Sequence, residues 1–354
     1  MLIDHSANLT QQSSSIKFCI ELLNELKVKV LFIIDSKDKL IGTVTDGDIR
    51  RAILNGNDLS EPILTAINKN FIKYSEDSDL SDLESRILQD HLQAIPIVKS
   101  NGLIAEVHAA GAHLHKALKD NTVLLMAGGF GTRLSPLTDN CPKPLLRVGD
   151  KPIIQTIIEN FIEHGLHNFV ISTHYKSEMI KDYLGHGENL NCSIEYLQEE
   201  SPLGTAGCLS LLSDTHLRKP VFMMNADILT NVNFTQLLAF HLEAKTSITM
   251  CVRNYTHQIP YGVVRTNNHL LKTIDEKPTQ VSKVNAGIYI VNPEAVNNLQ
   301  QGKNLDMPAL INNELEKNSS AVSVFPIHEY WLDIGQIGDY QRAQVDFISN
   351  FSND

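Results

Sequence analysis

Residues 122–146 read TVLLMAGGFGTRLSPLTDNCPKPLL, and the residue types and spacing in this stretch point to phosphate chemistry. Gly128, Gly129 and Gly131 follow directly on a short apolar run, residues 123–126. Lacking Cβ atoms, they let the backbone turn tightly and approach a bound group. Backbone N–H groups exposed in such a loop hydrogen-bond phosphate oxygens. Thr132 continues the loop. Arg133 and Lys143 add two fixed positive charges, one a planar fork and one a point charge. That composition suits the triphosphate of a nucleotide. The segment contains neither G-x-x-x-x-G-K-[ST] nor G-x-G-x-x-G, so neither a P-loop nor a dinucleotide fingerprint accounts for it.

A strand must deliver this loop, and the apolar run before it reads as one because it is short, continuous and ends in glycine. Residues 121–354 alternate strand and helix patterns, the expectation for an α/β domain with a mainly parallel sheet and helices on both faces. Ile153, Ile154, Ile157, Ile158, Phe161 and Ile162 recur at helical spacing, with Gly165 as a stop. Strands are expected at 169–172, 194–197, 221–224, 248–252 and 287–291, and a further helix at 234–244.

Residues 1–118 carry an internal repeat. Two short strands, 31–34 and 40–44, form a hairpin followed by a helix at 46–54. About sixty residues on, strands at 94–98 and 103–107 repeat the hairpin. Helices at 16–26 and 80–89 precede the two hairpins. Neither unit can bury its apolar face alone, so the two should pack as one pseudo-twofold module.

The glycine loop resembles the signature of the sugar-1-phosphate nucleotidyltransferases, G-G-x-G-T-R-L followed by P-K-P. It stands here as Gly128-Gly129-Phe130-Gly131-Thr132-Arg133-Leu134 and Pro142-Lys143-Pro144. The resemblance implies a Rossmann-like nucleotidyltransferase in which a sugar phosphate oxygen attacks the α-phosphorus of a nucleoside triphosphate and pyrophosphate leaves. It implies Mg²⁺ held by Asp227, at the end of the strand 221–224, and by Asp333 in Trp331-Leu332-Asp333-Ile334-Gly335. Two carboxylates with phosphate and water suit that ion. Arg133, Lys143 and Asp227 are the implied catalytic residues. Ala226 departs from the family's usual glycine before Asp227. Glu276-Lys277-Pro278 resembles the E-K-P element that binds the sugar phosphate, with Gly262 and Asn285 completing that pocket. The turn from Gln198 through Glu199 to Gly204 resembles the base-recognition turn. A carboxylate there suits guanine's N–H donors and an amide suits uracil or thymine, so the residues leave the base open.

The N-terminal module resembles a tandem CBS pair, a fold that often binds adenine nucleotides. Thr45-Asp46-Gly47-Asp48 matches its Ser/Thr-x-x-Asp ligand element, making Thr45 and Asp48 the candidate contacts. In the second repeat His108 and Gly111 stand at those places. The order of CBS pair then transferase resembles the guanylyltransferases of bacterial legionaminic acid pathways, which make GDP-glucosamine from GTP and glucosamine-1-phosphate. Mannose-1-phosphate with GTP, and glucose-1-phosphate with a pyrimidine triphosphate, remain alternatives. So do cytidylyl transfer to phosphocholine and a nucleotide sensor without turnover.

Composition bounds the rest. The 354 residues suit two or three domains, and 42% hydrophobic content suffices for buried cores. A formal net charge of −11 argues against nucleic-acid or anionic-membrane partners. Five cysteines are scattered without a C-x-x-C, as expected of reduced thiols in the cytoplasm. The start lacks a cationic stretch followed by an apolar core, and no run reaches membrane-spanning length. The fourteen histidines show no metal-ligand spacing and read as structural or solvent-facing. A soluble homo-oligomer is the expected state.

Overall fold

A computed structural model describes residues 2–351 apart from 27, 79, 81, 82, 84, 85, 88–91 and 110–117. It divides into one unit of Met1–Lys119 with Glu163–Gly165 and Asn233–Phe240, and another of Asp120–Ile162, Leu166–Val232 and His241–Asp354.

In the first unit the repeat extends beyond the two hairpins. Strands β1 (Leu9–Gln11), β2 (Val30–Ile34) and β3 (Leu40–Thr45) form one sheet, and β4 (Tyr74–Ser75), β5 (Ala94–Val98) and β6 (Ile104–Ala109) form the other. In each, the first strand runs parallel to the second and the second pairs antiparallel with the third. Even the irregularity repeats. The register shifts between Ile33 and Ile34, and again between Ile97 and Val98. Val30, Phe32, Leu40, Val98 and Val107 share one buried cluster, so the two hairpins bury each other's apolar faces. Helix α1 (Ile16–Glu25) starts where the Ser15 hydroxyl accepts from the Phe18 N–H, and α2 is Asp46–Leu54. The expected helix at 80–89 lies largely outside the described residues, although Leu83 and Ile87 are buried.

The hairpin register corrects the alignment of the repeats. Val30 pairs with Thr45 and Ala94 pairs with Ala109, so Ala109 rather than His108 occupies the place of Thr45. Gly111 lies outside the described residues.

The second unit is built on β7 (Lys119–Met126), the apolar run expected to deliver the glycine loop. A short hairpin, β8 (Arg147–Val148) and β9 (Lys151–Pro152), precedes the helix α3 (Ile153–Glu163). The strands β10 (Leu166–Thr173), β11 (Ser193–Gln198), β12 (Val221–Asn225), β13 (Ile228–Thr230) and β14 (Ile248–Gln258) follow. Next come β15 (Val263–Asn267), β16 (Leu270–Asp275), β17 (Thr279–Val291), β18 (Val322–Ile327) and β19 (Trp331–Asp333). The main sheet has the order β11-β10-β7-β12-β17-β14-β18, with β17 antiparallel to both its neighbours. Five strand segments expected from sequence lie inside β10, β11, β12, β14 and β17. Ile153, Ile154, Ile157, Ile158 and Phe161 on α3 are all buried, each worth about 1.5–3 kcal/mol relative to exposure. Among the described residues, no helix is long and apolar enough to cross a membrane.

In the second unit one polar network surrounds the buried His241. His241 is 1% exposed, with Nδ1 2.7 Å from Thr249 Oγ1 and Nε2 3.0 Å from Asn292 Oδ1. The Asn292 amide donates to the Thr246 carbonyl, which leaves Oδ1 as the acceptor. Nε2 therefore carries the ring proton, and Nδ1 accepts from the Thr249 hydroxyl. Burial pushes the His241 pKa below its ordinary value. The unfolded chain takes up a proton near pH 6.5 where the native ring does not, so this contribution is intact above that pH. It declines as pH falls from about 6.5 toward the lowered native pKa. Thermal melts should show stability dropping below pH 6.5, with a shallower slope in His241→Gln. Equal slopes in the two proteins would contradict the assignment.

Candidate active site

The glycine loop leaves the carboxyl end of β7 and forms one wall of a cavity of about 420 Å³. Gly128, Gly129, Gly131, Thr132, Arg133 and Lys143 all line it. None of the amides of Gly128, Gly129, Phe130, Gly131 and Thr132 donates to a backbone carbonyl. Gly131 has φ +67°, a conformation that favours glycine, and a Cβ there would lie 3.1 Å from the Thr138 methyl. The result is a row of amide donors beside two cations.

Asp227 forms the far side. It follows β12, and its Oδ2 accepts from Lys143 Nζ at 2.5 Å. Its Oδ1 is buried without a hydrogen-bond partner. Pairing of β13 with β19 sets Ile228 opposite Asp333, and the Ile334 N–H donates to the Asp227 carbonyl at 3.1 Å. Two aspartates more than a hundred residues apart in sequence thereby become neighbours. Asp333 is exposed and is not among the residues that line the cavity, yet its carboxyl is crowded by chain. That desolvation, and then the negative charge of Asp227, push its pKa up to about 6. Lys143 and Arg133 oppose the shift, while Asp339 adds to it. An orphaned buried carboxylate oxygen beside a second, electrostatically strained carboxylate fits a hard divalent cation. Ala226, in the place of a glycine, is buried and donates its N–H to the Met126 carbonyl, so the methyl is accommodated.

The turn after β11 closes the cavity. Glu199 is 7% exposed, with Oε1 accepting from the Ser172 hydroxyl at 2.6 Å and Oε2 from the Leu203 N–H at 3.0 Å. A Cβ on Gly128 would come 3.1 Å from Oε1, so this carboxylate packs directly on the loop. Glu199 and Gly204 line the cavity; Gln198 is not among its lining residues and has its Oε1 near the Thr173 hydroxyl instead. Gly204 has φ +73°, and a Cβ there would meet Asp306 Oδ1 and the Leu305 carbonyl at 2.7 Å. The segment around Leu305 and Asp306 braces the turn through the Thr205, Ala206 and Gly207 amides.

The residues expected to hold the sugar phosphate stand elsewhere. Gly262, Glu276, Lys277 and Asn285 do not line the cavity. Gly262 and Glu276 do face each other across the ends of β15 and β16: a Cβ on Gly262 would lie 2.9 Å from Glu276 Oε2. Lys277 is exposed in a left-handed turn (φ 46°), between the exposed arms of β14 and β17. Asn285 Oδ1 accepts from the Gly287 N–H, and Gly287 (φ +69°) leaves no room for a Cβ beside the Asn225 side chain. Trp331 serves as an anchor, donating Nε1–H to the Ala286 carbonyl.

In the first unit Thr45 and Asp48 form a capping box at α2. Asp48 Oδ2 accepts from the Thr45 N–H and hydroxyl at 2.8 and 2.6 Å, and Oδ1 accepts from Arg51 at 2.7 Å. The carboxylate already has helix-capping and ion-pairing work.

Sequence reading missed Ser172, Thr138, Asp306 and the C-terminal helix Ile337–Phe351. The helix is tied to β8, where the Tyr340 hydroxyl and Gln344 amide both donate to the Arg147 carbonyl. Its signal was present, with Ala343 and Phe347 buried four residues apart.

Residues 122–350 match the model of the nucleotidyl transferase family, and residues 11–55 match that of the CBS domain. The chain is 32% identical over 238 residues to a mannose-1-phosphate guanyltransferase of Schizosaccharomyces pombe. It is 34% identical over 239 residues to the mannose-1-phosphate guanylyltransferase catalytic subunit beta of Dictyostelium discoideum. These alignments cover 64% and 65% of this chain, and the chain spans the same shares of the two relatives' lengths. In fold it is similar to HddC from Yersinia pseudotuberculosis, with a TM-score of 0.51 and 23% identity over 64% of this chain and 99% of that one.

Proposed function

Because the chain belongs to the nucleotidyl transferase family, we propose that it transfers a guanylyl group from GTP to a hexose-1-phosphate, giving a GDP-sugar and pyrophosphate. The observation that carries the reading is one cavity joining a loop of amide donors to Arg133, Lys143 and Asp227. A sugar phosphate oxygen forms the new bond to the α-phosphorus as the bond to pyrophosphate breaks. No covalent intermediate on the protein is needed, so positioning and charge neutralisation supply the acceleration. The loop amides and Arg133 hold the triphosphate. Lys143 offsets the charge brought together by two anionic reactants. Asp227 and Asp333 are the residues to hold Mg²⁺, which when bound neutralises phosphate charge.

Guanine is favoured by the state of Glu199. Its carboxylate has about four lone-pair sites. The Ser172 hydroxyl and the Leu203 amide occupy one on each oxygen, leaving an acceptor on each for the adjacent N1–H and N2–H of guanine. The guanylyl-transferring relatives support the same base. In Glu199→Gln, the preference for GTP over ITP, which lacks the 2-amino group, should fall about 10- to 100-fold. An unchanged ratio of kcat/KM values would reject Glu199 as the base reader.

Mannose-1-phosphate is the first acceptor to try, because the relatives named above act on it. Glucosamine-1-phosphate is the second, favoured by the CBS match ahead of the transferase region. Mass spectrometry of the product from GTP and each acceptor separates them; no GDP-sugar from any hexose-1-phosphate would reject the proposal.

A further inference from the structure

We propose that Thr138 and Lys176 are positioning residues that hold the glycine loop in its triphosphate-binding conformation. Neither lines the cavity, so they act through the loop rather than on a substrate. Thr138 is 3% exposed, and its hydroxyl donates to the Gly131 carbonyl at 2.8 Å. A trans peptide is planar, so fixing that carbonyl fixes the N–H of Thr132 on the opposite side of the same plane. Thr132 lines the cavity.

Lys176 secures Thr138 in turn. Its ammonium donates to the Thr138 carbonyl at 3.2 Å and to the Asp139 carbonyl at 2.5 Å. It also lies 5.0 Å from the centre of the Tyr175 ring, and that ring is 5.5 Å from Phe130 in the loop itself. The contacts close a circuit: Gly131 to Thr138, Thr138 to Lys176, Lys176 to Tyr175, and Tyr175 back to Phe130. The backbone of Lys176 is left-handed (φ 52°, ψ 38°). Such a conformation costs a lysine energy and persists only where its surroundings fix it. The loop glycines cannot supply rigidity themselves, because glycine is the most conformationally free residue.

The inference rests on the triphosphate reading, and its test separates the two. Full-length wild type, Thr138→Val, Thr138→Ser, Lys176→Met and Lys176→Arg are compared by GTP calorimetry and steady-state kinetics. Valine keeps the branched shape of threonine and replaces the hydroxyl by a methyl group. Thr138→Val should weaken GTP binding and raise the KM for GTP about 5- to 10-fold, the loss of one hydrogen bond. The KM for sugar phosphate and the melting temperature should stay near wild type. Thr138→Ser restores the hydroxyl and should restore binding; Lys176→Met should behave like Thr138→Val, and Lys176→Arg should recover part of the loss. Wild-type binding in Thr138→Val, failure of serine to rescue, or an equal rise in both KM values would overturn the proposal. Absence of GTP binding by the wild type would instead overturn the triphosphate reading on which it stands.

Discussion

Asp227→Asn is expected to lower turnover by about 10³-fold while the protein still folds. Asparagine matches aspartate in size, and the pairing of β13 with β19 runs through backbone groups that the change leaves alone. What disappears is a charge at a site arranged around it. Oδ2 accepts from Lys143, and Oδ1 is buried without any protein partner. An unpartnered buried carboxylate oxygen is expensive, and it is retained where a ligand supplies the missing contact. Thermal melting of the variant should lie within a few degrees of wild type. Near-normal kcat in a folded variant would refute the role assigned to Asp227.

Lys143→Met should reduce kcat/KM by about 10²- to 10³-fold, the scale on which fixed electrostatic groups act in closed sites. Methionine keeps much of the unbranched apolar stem and discards the ammonium. Two consequences follow from the geometry. The phosphates lose a point charge, and Asp227 loses the partner of an ion pair that is largely shielded from solvent. Lys143 also holds down the pKa of Asp333, so its removal favours the protonated form of that carboxyl. If Lys143 and Asp227 act as a unit, the double variant should be little worse than the poorer single one. Fully multiplicative losses would show that the two groups act independently.

Much of the fold was legible because it depends on local pattern. The β7 run, the α3 stripe and the hairpins of the first unit each announce themselves within about a dozen residues. The phosphate loop was legible for the same reason, since its glycines and cations lie together in sequence. Partnerships across long separations were not. Nothing local says that Ile228 will pair with Asp333, or that the segment around Asp306 will brace the turn at Gly204. Hydroxyl groups such as Ser172 and Thr138 carry no periodic signal, and their importance comes from one acceptor each. The repeat alignment slipped by one residue because it rested on resemblance of residues, whereas the hairpin register fixes Ala109 opposite Ala94. The sugar-phosphate elements were found as motifs, but their place on exposed arms outside the cavity depends on the course of β14 and β17.

The most direct test of guanylyl transfer is pyrophosphate release by the purified protein with Mg²⁺, across a matrix of nucleoside triphosphates and sugar-1-phosphates. Guanylyl transfer should give release that requires both substrates, is strongest with GTP and a hexose-1-phosphate, and disappears in Asp227→Asn. Release confined to a pyrimidine triphosphate would contradict the assigned base. Silence across the whole matrix would contradict transfer itself and leave a protein that binds nucleotide without turning it over.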